Sequence, residues 1–446
     1  MKRIIYMALC LCCCTMLTAQ ERYTLEQLLD SALQHNIAIR NSQHALQSAR
    51  EQRKEAFTKY FPMVSATGAW FNANKGMAEM EIDPSQLITP ELGATLAKMI
   101  PAATLATMSQ PMSLSMMKNG TIASITATQP VFAGGQIVNG NKLAKVGEEV
   151  SRLQMMLTED EVERTAEQYF WQLVTLEEKQ RTVAAVEAML NDIHKDVSLA
   201  VKAGLTLRND QLQVELRQNE VESQQVKLRN SISLMHMLLA QYCGLRDTSF
   251  TLAYSEEAIA PVSLKRDHQQ ALYGTPEYRL LEKQVEATTL QKRMAVGENL
   301  PSVAVGAGYN YHNLMGNGIN FGMVFATVSV PLSAWWGGSH AIKRKKIAQQ
   351  QAIEQRDDHA QLLTIRMQKA WNDVEEAYQQ LAIAERSIQQ SEENLRINRV
   401  SYQSGTITMS DLLEAQMLYQ QSRDKRTDAF AEYQNRVLAY KQAIGM

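Results

Sequence analysis

One stretch of this chain occurs twice. Ala203 opens A-G-L-T-L-R-N-D-Q-L-Q-V-E-L, and Ser404 opens S-G-T-I-T-M-S-D-L-L-E-A-Q-M. A constant offset of 201 residues pairs Gly204 with Gly405, Asp210 with Asp411 and Leu212 with Leu413. The same offset still holds at Gly244 and Gly445, far downstream. A register kept over that distance marks two copies of one structural unit, which restricts the fold more than any local propensity does.

Each copy reads as the tip of a helical hairpin. Glycine enters the left-handed region at little cost and so ends a helix. Thr206 or Asn209 in the first copy, and Thr408 or Ser410 in the second, are placed to cap the helix that follows. Asp210 and Asp411 fall in its first turn, where a negative charge suits the dipole. The flanks are long. Glycine and proline are absent from Glu148 to Ala203, Leu205 to Cys243, Ser339 to Ser404 and Thr406 to Ile444. At a helical rise of about 1.5 Å per residue the longest stretch reaches ~100 Å, well beyond an ordinary globular helix.

Residues 1–19 read as a secretory signal: Lys2 and Arg3, an apolar run from Ile4 to Leu17, then Leu17-Thr18-Ala19. Lipid attachment ranks lower, because the residues before its cysteines are bulky or are cysteines themselves. Four of the five cysteines lie there, so the mature chain keeps Cys243 alone and cannot form an intramolecular disulfide. The net charge of −2 gives no argument for a nucleic-acid partner. After the signal no apolar run is long enough for a spanning helix.

A second correspondence, at offset 239, covers the start of each copy. Thr24-Leu-Glu-Gln27 is a capping-box start. It predicts a short helix to about Leu33, a break at His35-Asn36, and a longer helix to about Tyr60. In the second copy Ser263 to Tyr273 is the expected short helix. Gly274-Thr275-Pro276 supplies a stop, a cap and an N1 proline, and Glu277 to Asn299 the longer helix. Past Pro62 and Pro301 the period changes to two. Strands are expected at about 62–72 and 121–130, then at about 301–312 and 321–331. One face of each is apolar, the other small or hydroxylated. Aromatic residues gather at the strand ends: Trp70, Phe71, Phe132, Tyr309, Tyr311, Trp335 and Trp336. An interfacial girdle occupies such positions.

Alternating strands of this length suit an outer-membrane barrel better than a small soluble hairpin. Four of them cannot close, and an open edge in lipid leaves backbone groups unpaired. The barrel must therefore be shared between copies; two would supply eight strands and three would supply twelve. The change of offset from 239 to 201 places 38 extra residues in the first copy, in the outer loop 73–120. That loop holds Pro84, Pro90, Pro101 and Pro111, and seven methionines: Met77, Met80, Met99, Met108, Met112, Met116 and Met117. Adaptable apolar filling outweighs a soft-metal site there, and short helices are expected. The basic run Lys343 to Lys346 opens the last long helix, against anionic headgroups or as a solvated face.

The fold class is thus mainly α with a small β part. It comprises two tandem repeats of helix-strand-strand-helix-tip-helix: 20–262 with its tip at about 203–209, and 263–446 with its tip at about 404–410. No catalytic motif emerges: there is no H-E-x-x-H, no Cys/His cluster and no P-loop. The chain calls for no cofactor, no metal and no enzyme activity. Trp171 and Trp371 read as packing anchors.

The tip G-T-I-T-M-S-D-L-L-E-A-Q from Gly405, its partner from Gly204, Phe61-Pro62, Leu300-Pro301 and P-V-F-A-G-G from Pro130 together resemble the TolC-like outer membrane efflux protein family. The resemblance covers essentially the whole mature chain. It implies a homotrimer whose twelve strands form one barrel in the outer membrane, above a long α-helical barrel in the periplasm. It implies the passive export duct of a tripartite efflux or type I secretion system, docked to a periplasmic adaptor (membrane fusion protein) and an inner-membrane transporter. On that likeness Asp210, Asp411, Glu414 and Arg208 belong to the periplasmic gate. Ala203, Gly204, Leu205, Ser404, Gly405 and Thr406 form the surface on which an adaptor docks. The alternatives are a periplasmic adaptor, which would carry one hairpin beside a lipoyl-like domain, and a secreted coiled-coil protein, which would lack the girdled strands.

Overall fold

The structure is a computed structural model that describes residues 22–83, 89–101, 104, 112–255, 258, 260–314, 317–332 and 334–446. The signal reading at 1–19, and Pro84, Met108 and Pro111 of the outer loop, lie outside the described residues. The first repeat begins with β1 (Arg22–Thr24), α1 (Leu25–His35), α2 (Ile37–Thr58) and β2 (Met63–Asn72). Its insertion carries β3 (Ala78–Ile82), α3 (Pro90–Met99) and β4 (Met112–Met116). Then follow β5 (Asn119–Ala133), α4 (Gln136–Lys202), α5 (Arg208–Cys243) and β6 (Thr251–Ala253). The second repeat has α6 (His268–Leu272), α7 (Pro276–Gly297), β7 (Ser302–Asn313), β8 (Ile319–Ser329), α8 (Ala334–Gln403) and α9 (Met409–Ala443).

Contacts divide the chain into two units. One comprises Met1–Arg50, Val146–Glu286 and Gln350–Met446, the other Glu51–Lys145 and Ala287–Gln349. No helix among the described residues is long and apolar enough to cross a membrane.

The first unit is helical, and local chemistry sets its ends. Thr24 caps α1, accepting the Gln27 N–H while the Gln27 side chain accepts the Thr24 N–H. Asn36 breaks the chain between α1 and α2 by accepting the Ala38 N–H at 2.8 Å and donating to the Tyr242 carbonyl at 3.2 Å. At the far end α5 stops at Gly244, in the left-handed region at φ 71°. There Leu245 N–H reaches back to the Ala240 carbonyl at 2.8 Å, and at offset 201 Met446 N–H does the same to Lys441 at 2.9 Å. This six-to-one bond is the Schellman ending. The main core joins both repeats around Phe170, Trp171, Trp371, Tyr433 and Tyr440. Trp171 packs edge-on against Phe430 at 5.5 Å, and Trp371 lies tilted against Tyr440 at 5.2 Å. Burial pushes the Cys243 thiol up to about 12, so this cysteine acts as an apolar core residue. β1 pairs in parallel with β6.

The short helix expected from Ser263 to Tyr273 is smaller. A 3₁₀ turn occupies Pro261–Ser263, and α6 starts only at His268, because the Asp267 carboxylate accepts the Gln269 N–H and fixes the start there. Pro276 is the first residue of α7, and Thr275 caps it by accepting the Tyr278 N–H.

The second unit holds a four-stranded antiparallel sheet in the order β2-β5-β7-β8. Its register carries one alternation across all four strands. Val64, Ala127, Ala307 and Val324 form one row; Ala66, Ile125 and Tyr309 form the next on the same face. Val324 is 86% exposed and Trp70 72%. The opposite face carries Ser65, Thr67, Ser124, Thr126, Thr128, Asn310 and His312, with Ile122, Phe321 and Phe325 among them. Thr67 and Ser124 hydroxyls lie 2.7 Å apart there. A Cβ on Gly306 would stand 2.3 Å from Phe325 Cζ, so glycine lets the ring lie flat across the sheet.

The aromatic residues separate into two levels. Trp70, Tyr309 and Tyr311 share the apolar face near the ends of β2 and β7. Phe132 lies at the other end of β5, opposite Val303 past a bulge. Trp335 and Trp336 stand exposed at the start of α8. Phe71 departs from the expected girdle. The pleat sends neighbours to opposite faces, so Phe71 sits opposite Gly120 on the hydroxylated side. The insertion holds a two-stranded ribbon, β3 with β4, besides the expected helix α3.

Candidate functional site

The two tips are built alike and belong to the helical unit. Leu205 N–H bonds the Ala200 carbonyl at 2.9 Å, and Thr406 N–H bonds the Ser401 carbonyl at 3.0 Å. Gly204 and Gly405 take φ of 72° and 75°. A Cβ at either would meet nothing within 4 Å. Backbone conformation therefore demands these glycines, and packing does not. Ala203, Gly204, Leu205, Ser404, Gly405 and Thr406 are all exposed, Leu205 at 81%.

The helices after the tips start differently. Thr408 caps α9 in a capping box: its hydroxyl accepts the Asp411 N–H, and Asp411 accepts the Thr408 N–H at 2.9 Å. The Thr408 hydroxyl also donates to the Asp411 carboxylate at 2.7 Å. Those two donors, the hydroxyl first and the backbone second, hold the Asp411 carboxyl below its ordinary range. In the second copy Thr408 is thus the cap, and Ser410 is not. In the first copy neither Thr206 nor Asn209 is. Leu207 occupies the N-cap of α5 with no side-chain bond, while the Thr206 hydroxyl donates to Asp210.

The four gate candidates do not converge within one chain. Asp210 lines a cleft of about 770 Å³ between the two tips, with Leu205, Tyr402, Ile407, Met409 and Leu412. Burial first, then the charge of Asp210, raises the Tyr402 phenol above its usual value. Asp411 and Glu414 are exposed and lie outside the residues that line this cleft. Arg208 is exposed, and its charge helps to lower Glu215, behind hydrogen bonds from Gln211 and His194. Under the cleft, Ile193, Val197, Val214, Leu395, Met409, Leu412 and Ala415 form an apolar plug that joins both hairpins.

Above that plug lies a polar seam not anticipated from the sequence. Arg217 of α5 donates to Gln416 Oε1 at 3.2 Å and to Gln420 Oε1 at 2.9 Å, both on α9. Gln420 donates in turn to Gln224 Oε1 at 3.0 Å. Gln416 is fully buried and Gln420 is 5% exposed. The available signal was two glutamines at four-residue spacing after Leu412, on one helix stripe. Among the described residues no cluster of His, Cys, Asp and Glu suited to a metal occurs.

Each repeat thus supplies two strands of one antiparallel sheet and one helical hairpin. Residues 268–446 match the family model for outer membrane efflux proteins. No curated protein matches the sequence. Solved structures with the same fold include the outer membrane protein VceC of Vibrio cholerae, 16% identical, with a TM-score of 0.73 over 94% of this chain and 96% of that one. The CmeC outer membrane channel of Campylobacter jejuni is 13% identical, with a TM-score of 0.74 over 94% and 85%. The MtrE outer membrane channel of Neisseria gonorrhoeae, in its open state, is 14% identical, with a TM-score of 0.72 over 94% and 88%.

Proposed function

We propose that this chain is the outer membrane duct of a tripartite efflux or secretion machine, and that three copies form it. The four-stranded sheet carries this reading. It is apolar on one face, hydroxylated on the other, and open at both edges, β2 and β8. Those edges run in opposite directions, so β8 of one copy set beside β2 of the next continues the antiparallel order. Such a head-to-tail contact closes into a ring. Three copies give twelve strands, and closure satisfies the edge groups that lipid cannot. The apolar face then meets lipid, between levels set by Trp70, Tyr309 and Tyr311 at one end and Phe132, Trp335 and Trp336 at the other.

The hairpins supply the periplasmic part. The exposed surface at Gly204 and Gly405, with its flanking residues, is where a periplasmic adaptor docks, and the adaptor couples the duct to an inner-membrane transporter. Rings of Asp411 and Glu414 from three copies favour cations at the mouth. The duct performs no chemistry and opens by separation of the tip helices. The test is fractionation followed by reconstitution. The protein should be recovered in outer membranes, migrate faster on gels unheated than heated, and give discrete channels in planar bilayers. A chain recovered as a water-soluble monomer contradicts the reading.

A further inference from the structure

The helical segments next to the sheet carry an excess of positive charge that conduction does not require. Within the second unit, segments 51–60, 136–145, 287–299 and 334–349 hold eleven Lys and Arg against three acids, Glu51, Glu55 and Glu298. The whole chain has a net charge of −2, so the excess is local. Lys59, Lys142, Arg293, Lys343, Arg344 and Lys346 form no ion pair among the described residues.

The charges are ordered relative to the aromatic residues. On α8, Trp336 is 82% exposed. At about 100° per residue, Lys343 falls within roughly 20° of it on the same stripe, and Arg344 and Lys346 flank that stripe at about 80° to either side. Lys345 points the opposite way and donates to Gln291 on α7 at 3.1 Å. Seven residues of helix place Lys343 about 10 Å beyond Trp336, a distance that a lysine stem shortens by snorkelling. The pattern recurs on α2. Phe57, Tyr60 and Phe61 are exposed and stack edge-on at 5.5 to 5.6 Å, with Arg53 and Lys54 one turn before Phe57. Exposed rings at the interface, followed one or two turns later by cations, match a headgroup layer: rings at the carbonyl level, ammonium and guanidinium groups at the phosphates.

We propose that this basic collar binds the phosphates of anionic phospholipid in the inner leaflet, and that Lys343, Arg344 and Lys346 are its principal contacts. The inference rests on the outer membrane reading above. Full-length protein, extracted in mild detergent, is titrated with phosphatidylglycerol and with phosphatidylcholine, and bound lipid is counted by native mass spectrometry. Wild type should take up phosphatidylglycerol in preference. Affinity should fall about fivefold for each charge removed, hence roughly a hundredfold in the triple variant Lys343→Gln, Arg344→Gln, Lys346→Gln. The charge-preserving pair Lys343→Arg, Lys346→Arg should bind as wild type does. The heated and unheated gel pattern shows whether each variant is assembled. Equal affinity for the two lipids, or an assembled triple variant that binds phosphatidylglycerol like wild type, overturns the proposal. So does a triple variant whose only change is lower anion permeability in planar bilayers, which assigns the charges to anionic cargo in the bore. If wild type fails to enter vesicles at all, the outer membrane reading falls first, a result distinct from insertion without lipid preference.

Discussion

Arg217→Ala is the most informative single substitution in the tip region. Its guanidinium spans α5 and α9, donating to Gln416 at 3.2 Å and Gln420 at 2.9 Å. Both acceptors are buried, and Gln416 Nε2 already lacks a partner among the described residues. Truncation strands two amide oxygens away from water, at about 1–3 kcal/mol each. The remaining bond, to the exposed Glu220 at 2.7 Å, contributes little. The seam therefore weakens by about 2–4 kcal/mol, allowing for partial relaxation. At 1.4 kcal/mol per tenfold, the ratio of separated to joined helices rises by roughly one and a half to three powers of ten. If opening separates α5 from α9, single-channel recording of reconstituted protein should show a large rise in open probability. Arg217→Lys keeps the charge but loses the fork, and should fall between. An Arg217→Ala channel that stays as closed as wild type would refute the reasoning, because α5 and α9 would then move as one body.

The tip glycines make a paired prediction. Gly405→Ala should cost about 1–2 kcal/mol of left-handed strain, whereas Gly244→Ala should cost more, because its Cβ would stand 2.4 Å from His35 Cβ; thermal unfolding ranks the two. Gly405→Trp should impair export and leave membrane insertion unchanged, and normal export in that variant counts against docking at the tip. Asp411→Asn with Glu414→Gln should lower cation selectivity in planar bilayers; unchanged selectivity removes the carboxylate ring. Because hydrogen bonds depress the Asp411 carboxyl, its cap persists above the unfolded carboxylate range and is lost as pH falls through the lower folded value. Hydrogen exchange at the start of α9 should therefore quicken only below about pH 4, and Asp411→Asn should abolish that dependence. Leu207→Thr supplies the cap that α5 lacks and should slow exchange at Asn209 and Asp210, with a gain of about 1 kcal/mol; no slowing would show that Leu207 is held by something other than helix capping.

The repeat was legible because its signals are local. The glycines at 204 and 405 need a positive φ, and Thr24, Thr275 and Thr408 each bond a backbone N–H three residues on. The alternation in β7 and β8 survives in the sequence because each face meets one environment. Phe71 and Trp70 read together as girdle residues, yet adjacent strand residues face opposite ways, so the pleat turns Phe71 to the hydroxylated side. The β3–β4 ribbon was also visible, in the alternation of Ala78, Met80 and Ile82 with Glu79 and Glu81, but prolines and methionines around it suggested helices. The Arg217 seam was not legible, since it joins residues 199 and 203 positions apart, and Gln416 and Gln420 read as ordinary surface glutamines until burial is known. The parallel pairing of β1 with β6 is non-local in the same way.

In a shared barrel one chain holds only part of a wall, with β2 and β8 left for neighbouring copies. The direct measurement is the number of chains in the particle extracted from outer membranes, by native mass spectrometry after lipid is stripped. Three chains per particle, dissociating only with loss of the β-sheet signal, is the expected result. A particle of one chain that keeps its sheet intact would contradict it.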